Sequence, residues 1–179
     1  MAARAESLLM TVEQFREIPA PDSMVQELHW GQVITLTRPK MKHTKLQYRL
    51  VELLRPIVEG KGIVMVELPF RAVPEYDLRG ADVAFITQDR WNKTADDDNL
   101  HGSPELVIEI LSPWNTKAEI QEKAALCLST GCQEFWIVDP RRKSVNATRR
   151  GGETTVYTTS ERIPLALFGS ELAVAAIFA

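Results

Sequence analysis

The sequence has few of the features that mark specialised classes of protein. Its two cysteines, Cys127 and Cys132, lie five residues apart, which matches neither a CxxC redox motif nor a cysteine and histidine zinc motif. There is no run of about 18 apolar residues, and residues 1–10 lack the apolar core of a secretory signal. We therefore expect a cytoplasmic protein with no membrane segment and with both cysteines reduced and buried.

Several catalytic motifs are also missing. The chain contains no GxSxG, no phosphate-binding glycine loop of the Walker type, no GxGxxG and no HExxH. These absences give no support to a serine hydrolase, a P-loop NTPase, a dinucleotide-binding enzyme or a zincin protease. We accordingly expect no small-molecule organic cofactor.

The composition is that of an ordinary globular protein. Of 179 residues, 45% are hydrophobic and 25% are charged, and 21 lysines and arginines against 24 aspartates and glutamates give a net charge of −3. This balance excludes a disordered chain and gives no overall basic signature for nucleic-acid binding. The length favours a single domain over residues 1–179.

The hydrophobic pattern predicts alternating helices and strands. The stretch LVIEIL at 106–111 indicates a central buried strand, T-x-x-E at Thr116 begins a helix that ends at Gly131, and FWIV at 135–138 indicates another buried strand. Strand, helix and strand in this order form a crossover unit with a parallel pair. The pattern also predicts helix 11–21, a hairpin of 24–30 and 33–37 turning at 31–32, helix 41–59, strands 63–68 and 81–86, a polar loop at 87–103, and a hairpin of 145–149 and 154–158.

Glu109 is the most informative residue, because it interrupts an apolar strand. Burying a carboxylate costs several kcal/mol unless a cation or strong donors compensate it, so a positive group should lie opposite. Lys123, on the following helix, falls between Leu126 and Cys127 in helical phase and therefore on the core-facing side. It either extends towards solvent or contacts Glu109.

Asp82 begins a second apolar strand, ADVAFI. If this strand neighbours the one containing Glu109, two carboxylates converge, and such a pair needs a metal ion or a shared proton. The structural alternative for Asp82 is a strand-end carboxylate held by backbone donors or an arginine.

Five segments, in this order and spacing, resemble one known family. They are MTVEQFREIP, QELHWGQV, ADVAFI, PELVIEILSP and EKAALCLSTGCQEFWIVDP. Together they resemble the Uma family of restriction endonucleases, within the PD-(D/E)XK nuclease superfamily. The resemblance runs from Met10 to about Arg150, and its most specific part lies between Pro104 and Pro140.

The resemblance implies a restriction-endonuclease-like core of α/β class: a mixed central sheet flanked by helices, with the N-terminal helix and β-hairpin added. It implies that Asp82 and Glu109 bind a divalent metal, usually Mg²⁺ with Mn²⁺ as the alternative, helped by the carbonyl of Ile110. Glu27 and His43 match recurrent positions of the family and are carried over as accessory site residues. Taken alone, a single histidine at a helix start is more often structural.

The sequence departs from the superfamily pattern at three positions. Ala81 replaces the usual proline before the aspartate, Leu111 stands where the motif has lysine, and Cys127 replaces a common tyrosine. The missing lysine matters most, because a residue two positions after Glu109 would point to the same face of the strand. The resemblance suggests that Lys123 replaces it, which agrees with the helical phase.

These observations lead to one main hypothesis and two alternatives. The main hypothesis is a metal-dependent endonuclease that hydrolyses DNA phosphodiester bonds, with Asp82 and Glu109 holding Mg²⁺ and Lys123 as the displaced motif lysine; cutting two strands favours a homodimer. The alternatives are a non-catalytic nucleic-acid or protein-binding module that keeps the fold, and a hydrolase of a small phosphoester. Five basic residues near the end of the chain could bind phosphate, or they could form ordinary solvated surface. They are Arg141, Arg142, Lys143, Arg149 and Arg150.

Overall fold

The helices and strands follow the alternation expected from the sequence. A computed structural model describes residues 9–19 and 24–179 of the protein. Along these residues the elements are α1 (Val12–Arg16), β1 (Met24–His29), β2 (Gln32–Thr37), α2 (Met41–Val58), β3 (Gly62–Arg71), β4 (Arg79–Thr87), α3 (Gln88–Lys93), β5 (Leu100–His101), β6 (Leu106–Ile110), α4 (Lys117–Ser129), β7 (Glu134–Asp139), β8 (Ser144–Arg149), β9 (Thr154–Thr158), β10 (Arg162–Leu165), β11 (Ser170–Ala173) and α5 (Val174–Ile177).

A mixed seven-stranded sheet forms the centre of the fold, in the order β5-β3-β4-β6-β7-β8-β9. Strands β6 and β7 are parallel and are joined by α4, which confirms the predicted crossover unit. Strand β4 lies antiparallel to β6 on the other side. The central position of β6 places Glu109 in the middle of the sheet, and the expected α/β class with helices flanking a mixed sheet is confirmed.

The two faces of the sheet are covered by different elements. On one face Leu50 and Leu54 of α2 pack with Ile163 of β10 and Ile177 of α5. On the other face α4 packs against β6, and Cys127 lies there among apolar side chains. Both cysteines are free and buried, and burial raises the pKa of each thiol to about 12. They act as packing residues.

The first hairpin turns one position earlier than predicted. Its two central residues are Trp30 and Gly31, with φ values of 50° and 73°. Two successive positive φ angles are those of the tight turn that matches the twist of paired strands. A side chain at Gly31 would in addition approach the Cβ of Leu9 to 2.7 Å.

Helix α1 begins at the predicted Thr11 cap but ends at Arg16, and Pro21 lies outside the described residues.

Two regions contain more regular structure than the sequence predicted. The polar stretch 87–103 includes α3 and β5, and Arg90 of α3 holds its two ends together: the guanidinium donates to the carbonyls of Ser103 and His101. The last residues form β10, β11 and α5, which cover one face of the sheet. Neither region has an apolar periodicity that would reveal it locally.

Among the described helices, none is both long enough and apolar enough to cross a membrane.

An ionic cluster around Asp98 fastens α1 to the edge of the sheet. The Asp98 Oδ1 atom lies 2.9 Å from Arg16 Nη2 and 3.1 Å from Arg71 Nη2, and its Oδ2 atom lies 2.8 Å from His101 Nε2. Burial alone would raise the pKa of this carboxyl, but the Asn99 N–H, Arg16, His101 and Arg71 together lower it to about 2. Asp98 is therefore a structural residue.

We expect Asp98→Asn to destabilise the protein in a pH-dependent manner. The folded-state pKa lies below the ordinary aspartate pKa of 3.8, so the carboxylate stabilises the fold above about pH 4, and this contribution is lost as the pH falls through about 2. Because water screens a partly exposed group, the loss at pH 7 should be about 1 kcal/mol. Urea unfolding at pH 7 and at about pH 3 would measure it, with the exposed Asp96→Asn as the matched control. An equal loss at both pH values would contradict the assignment.

Candidate active site

The central sheet opens between β4 and β6 at the two predicted carboxylates. The ladder of backbone hydrogen bonds runs as far as the pair Val83 and Ile108, so Asp82 and Glu109 would form the next pair. Side chains replace the backbone there: the Ile110 N–H donates to Asp82 Oδ2 at 2.7 Å, and the Asp82 N–H lies 3.4 Å from Glu109 Oε1. The opening thus brings Asp82, Glu109 and Ile110 together.

Lys123 reaches Glu109 from α4. The helix begins with a reciprocal capping box between Thr116 and Glu119, which sets its first turn. Seven residues after the cap, the Lys123 ammonium lies 2.8 Å from Glu109 Oε2 and donates to the Gly80 carbonyl at 2.7 Å. Both side chains are almost completely buried. The ammonium of Lys123 therefore lies beside Glu109, whereas the motif position two residues after the glutamate is occupied by Leu111.

Burial and neighbouring charges shift the pKa of both partners upward. Loss of solvation raises the pKa of Glu109 to about 7; repulsion by Asp82 adds to the rise and attraction by Lys123 opposes it. For Lys123, burial alone would lower the pKa, but the carboxylates of Glu109, Glu27 and Asp82 together raise it above its ordinary value. At neutral pH the lysine is charged, and its ammonium favours the charged form of Glu109 against the effect of burial.

Helix α2 supplies His43 and Gln47 to the other side of Asp82. The Nε2 atom of His43 lies 3.0 Å from Asp82 Oδ1. Burial alone would lower the pKa of His43, but the Asp82 carboxylate raises it overall, with smaller contributions from Glu67 and Glu109. The structure therefore brings His43 to the candidate site, where its ring contacts Asp82 directly.

Gln47 and Glu67 belong to the same cluster, although the sequence analysis did not single them out. Gln47 is 2% exposed, and its Nε2 donates to the carbonyl of Asp82 at 3.2 Å and to the carboxylate of Glu67. Glu67 lies opposite Asp82 in β3 and has a φ of 52°, which is rare for a residue other than glycine and stores strain of the order of 1–3 kcal/mol. No local signal reveals either residue: Glu67 fits the alternation of an ordinary strand, and Gln47 is one polar residue in an amphipathic helix.

Glu27 borders the site through the backbone of Gly80. The Gly80 N–H donates to Glu27 Oε1 at 2.8 Å, while the Gly80 carbonyl accepts from Lys123. The other oxygen of Glu27 lies 2.6 Å from His29 Nε2. Burial alone would raise the pKa of Glu27, but His29, Lys123 and the Gly80 N–H together lower it. Glu27 thus lies behind Lys123 and makes no direct contact with Asp82 or Glu109.

Asp82, Glu109 and Ile110 carry oxygen atoms, which are the ligands that a hard divalent cation prefers. Within the described part of the chain, no group of three or more His, Cys, Asp or Glu side chains is placed to enclose a metal ion. Mg²⁺ is usually held by one or two carboxylates, with water and substrate phosphate completing its octahedron, so a complete protein cage is not required. The carboxylates of Asp82 and Glu109 could supply the side-chain ligands. An extended residue presents its N–H and carbonyl to the same side, so Ile110, whose N–H donates to Asp82, directs its carbonyl there too.

Comparisons with known proteins identify the family and the fold. A family model, Uma2, described as "Putative restriction endonuclease", matches residues 12–175. A crystal structure from Anabaena variabilis, described as a putative nuclease belonging to DUF820, is similar with a TM-score of 0.79 and 22% sequence identity. The similarity covers 94% of this chain and 97% of that chain, and at this identity it shows the fold, which confirms the expected restriction-endonuclease-like architecture. No curated protein sequence matches the chain.

We expect Lys123→Met to destabilise the fold by about 2–3 kcal/mol at pH 8, because it leaves Glu109 as a buried charge without a partner. Without the lysine the pKa of Glu109 rises further above its unfolded value of 4.5, so the folded variant binds more protons than the unfolded one. Its stability should therefore fall between pH 6 and pH 8. Urea unfolding would measure this.

The double variant Glu109→Leu/Lys123→Met should recover most of the lost stability, because it removes both charges. Lys117→Met, at an exposed position of the same helix, is the matched control and should have little effect. Equal losses in the two lysine variants, or no recovery in the double variant, would contradict the role of the ion pair.

Proposed function

The chain belongs to the Uma2 family, and on that premise we propose that it is a metal-dependent endonuclease that hydrolyses phosphodiester bonds in DNA. One observation carries the proposal: two carboxylates and a buried lysine, drawn from three separate elements, converge where the central sheet opens. Each of these buried charges must be compensated, and such a convergence of charged side chains marks a candidate functional site. Membership of the Uma2 family and the fold shared with the crystal structure from Anabaena variabilis support the same conclusion.

In this proposal Asp82, Glu109 and the carbonyl of Ile110 hold the cation, with Mg²⁺ as the first candidate and Mn²⁺ as the second. The chemistry that a bound divalent cation supplies is Lewis-acid polarisation of the phosphate and acidification of water. The protein contributes the orientation of the ligands: the Ile110 N–H and His43 hold the two oxygens of Asp82, and Lys123 holds one oxygen of Glu109. Outer contacts of this kind orient ligands and tune their basicity.

Lys123 acts as a charged donor and not as a general base. Its pKa is raised, so it keeps its proton at neutral pH. In phosphodiester hydrolysis water attacks phosphorus, the bond to one ester oxygen breaks, and negative charge grows on the phosphoryl oxygens. A fixed ammonium beside Glu109 stabilises that charge and orients the attacking water. The Gly80 carbonyl accepts from the ammonium and positions it for this role, while the N–H of the same residue donates to Glu27.

The decisive variant is Glu109→Gln, which removes a ligand charge while keeping the volume of the side chain. We expect Mg²⁺ and Mn²⁺ binding to be lost and plasmid nicking to fall by more than about 100-fold, since outer contacts of a metal ligand alone cost 10–100-fold. Isothermal titration of each metal and a nicking assay on the same samples would measure both. The matched control is Glu153→Gln, at an exposed position between β8 and β9.

The outcomes separate this function from the two alternatives. Binding and nicking that both disappear in Glu109→Gln, but persist in Glu153→Gln, would support the endonuclease. Metal binding with hydrolysis of bis(4-nitrophenyl) phosphate but without nicking would favour a hydrolase of a small phosphoester. A folded wild-type protein that binds neither metal would favour the non-catalytic module and overturn the proposal.

A further inference from the structure

One segment of this acidic protein is strongly basic. From Leu28 to Val51 the chain carries no aspartate or glutamate, although the whole chain has three more acidic than basic residues. The same segment contains five lysines and arginines. They are Arg38, Lys40, Lys42, Lys45 and Arg49. We call this set the α2 basic surface.

The α2 basic surface and the candidate site share the first turns of α2 but use different sides of the helix: His43 and Gln47 contact Asp82, whereas Lys42 and Lys45 are exposed. The residues of the α2 basic surface occupy the connection from β2 to α2 and the first turns of α2, the same turns that bring His43 to Asp82. Four of the five side chains are exposed, and Arg49 is partly buried, where it donates to the carbonyl of Ala176. Over residues 9–19 and 24–179, none of the five forms an ion pair within 4.0 Å.

Spacing places part of this surface in one line. Lys42, Lys45 and Arg49 are three and four residues apart and so share one stripe of the helix. At about 1.5 Å per residue the stripe is about 10 Å long, which is the axial length of about three base pairs in a duplex. A line of unpaired cations of this length matches a run of backbone phosphates.

An ordinary solvated helix does not explain this charge. Solvated faces usually mix signs, as α3 does where Lys93 pairs with Asp89 one turn away. The start of α2 also contradicts the rule for helix stability: Lys40 is the N-cap residue without a side-chain capping bond, and the first turn contains no acidic residue. Cations at this end oppose the helix dipole, so the sequence gives up stability here, as natural proteins do at functional positions.

The five basic residues at positions 141–150, considered above as a phosphate-binding strip, do not lie together. They lie at opposite ends of the sheet. Arg149 pairs with Glu134 at the start of β7, whereas the turn containing Arg141 follows the end of β7. Since β6 and β7 are parallel, only this turn lies at the same end as Glu109. Arg149 is level with Glu134, three residues from the β7 partner of Glu109, so it lies about 10 Å from Glu109 along the strands and about 10 Å across them. Arg149 and Arg150 offer a natural control.

We propose that the α2 basic surface binds the phosphate backbone of a nucleic acid and so presents a polymeric substrate, and not a small phosphoester, to Asp82 and Glu109. This inference rests on the proposed function for the position of the scissile phosphate. The binding itself is electrostatic and requires neither a metal ion nor cleavage. Lys42 and Lys45 contact phosphates on the side of the site nearest His43.

The test compares two double variants that remove the same charge. Lys42→Gln/Lys45→Gln changes the α2 basic surface, and Arg149→Gln/Arg150→Gln changes the opposite end of the sheet. Fluorescence anisotropy with a labelled 20-base-pair duplex, in EDTA and at several salt concentrations, measures binding without metal-dependent cleavage. For the first variant we expect affinity to fall by about tenfold or more and the slope of log K against log salt to decrease by about 2; the second variant should resemble wild type.

The thermal midpoint distinguishes a loss of folding from a loss of duplex binding in the first variant. Replacing lysines near the start of α2 removes an unfavourable interaction with the helix dipole, so the thermal midpoint of the first variant should equal or exceed that of wild type. Equal affinities in the two variants, or no binding of the duplex by the wild-type protein at low salt, would overturn the proposal. Failure of the nuclease function would look different: metal-dependent nicking would be absent, while the α2 variant would still bind the duplex more weakly.

Discussion

The burial of one carboxylate in the central strand is the constraint on which the rest of the site depends. Glu109 is 7% exposed near the end of β6, the central strand of the sheet, where an unpaired charge costs several kcal/mol. Its compensation comes from Lys123, which must itself be held, and the Gly80 carbonyl does this. Gly80 in turn donates to Glu27 of the hairpin. The contacts that compensate the buried charge of Glu109 thus connect β6 to α4, α4 to the start of β4, and β4 to β1.

Parts of this arrangement could be predicted because they follow from local periodicity. An acid within LVIEIL must be compensated, and the T-x-x-E cap sets the phase that directs Lys123 to the sheet. Gln47 and Glu67 could not be found in this way. Their roles arise only when α2 and β3 pack beside Asp82, and the left-handed backbone of Glu67 is imposed by that packing and not by its own preference.

The fold itself shows the same division. The crossover unit and both hairpins were predictable from caps, turns and apolar runs, since each of these signals acts within a few residues. The short elements α3, β5, β10 and β11 were not, because contacts with residues outside them stabilise them: Leu100 of β5 pairs with Phe70 of β3 and is buried in the same apolar cluster. Total charge was also a poor guide, because an average over the chain conceals a segment from Leu28 to Val51 without a single acid.

The origin of the site in distant segments has a consequence for its kinetics of formation. Residues 27, 43, 67, 82, 109 and 123 come together from six elements, so almost all of the contacts among them close long loops of chain. Contacts of this kind form late, after the loop-closure entropy has been overcome. A partly folded chain therefore carries isolated carboxylates and an unplaced lysine. The candidate site is complete only when all six elements have packed together, so an intermediate that lacks any one of them does not contain it.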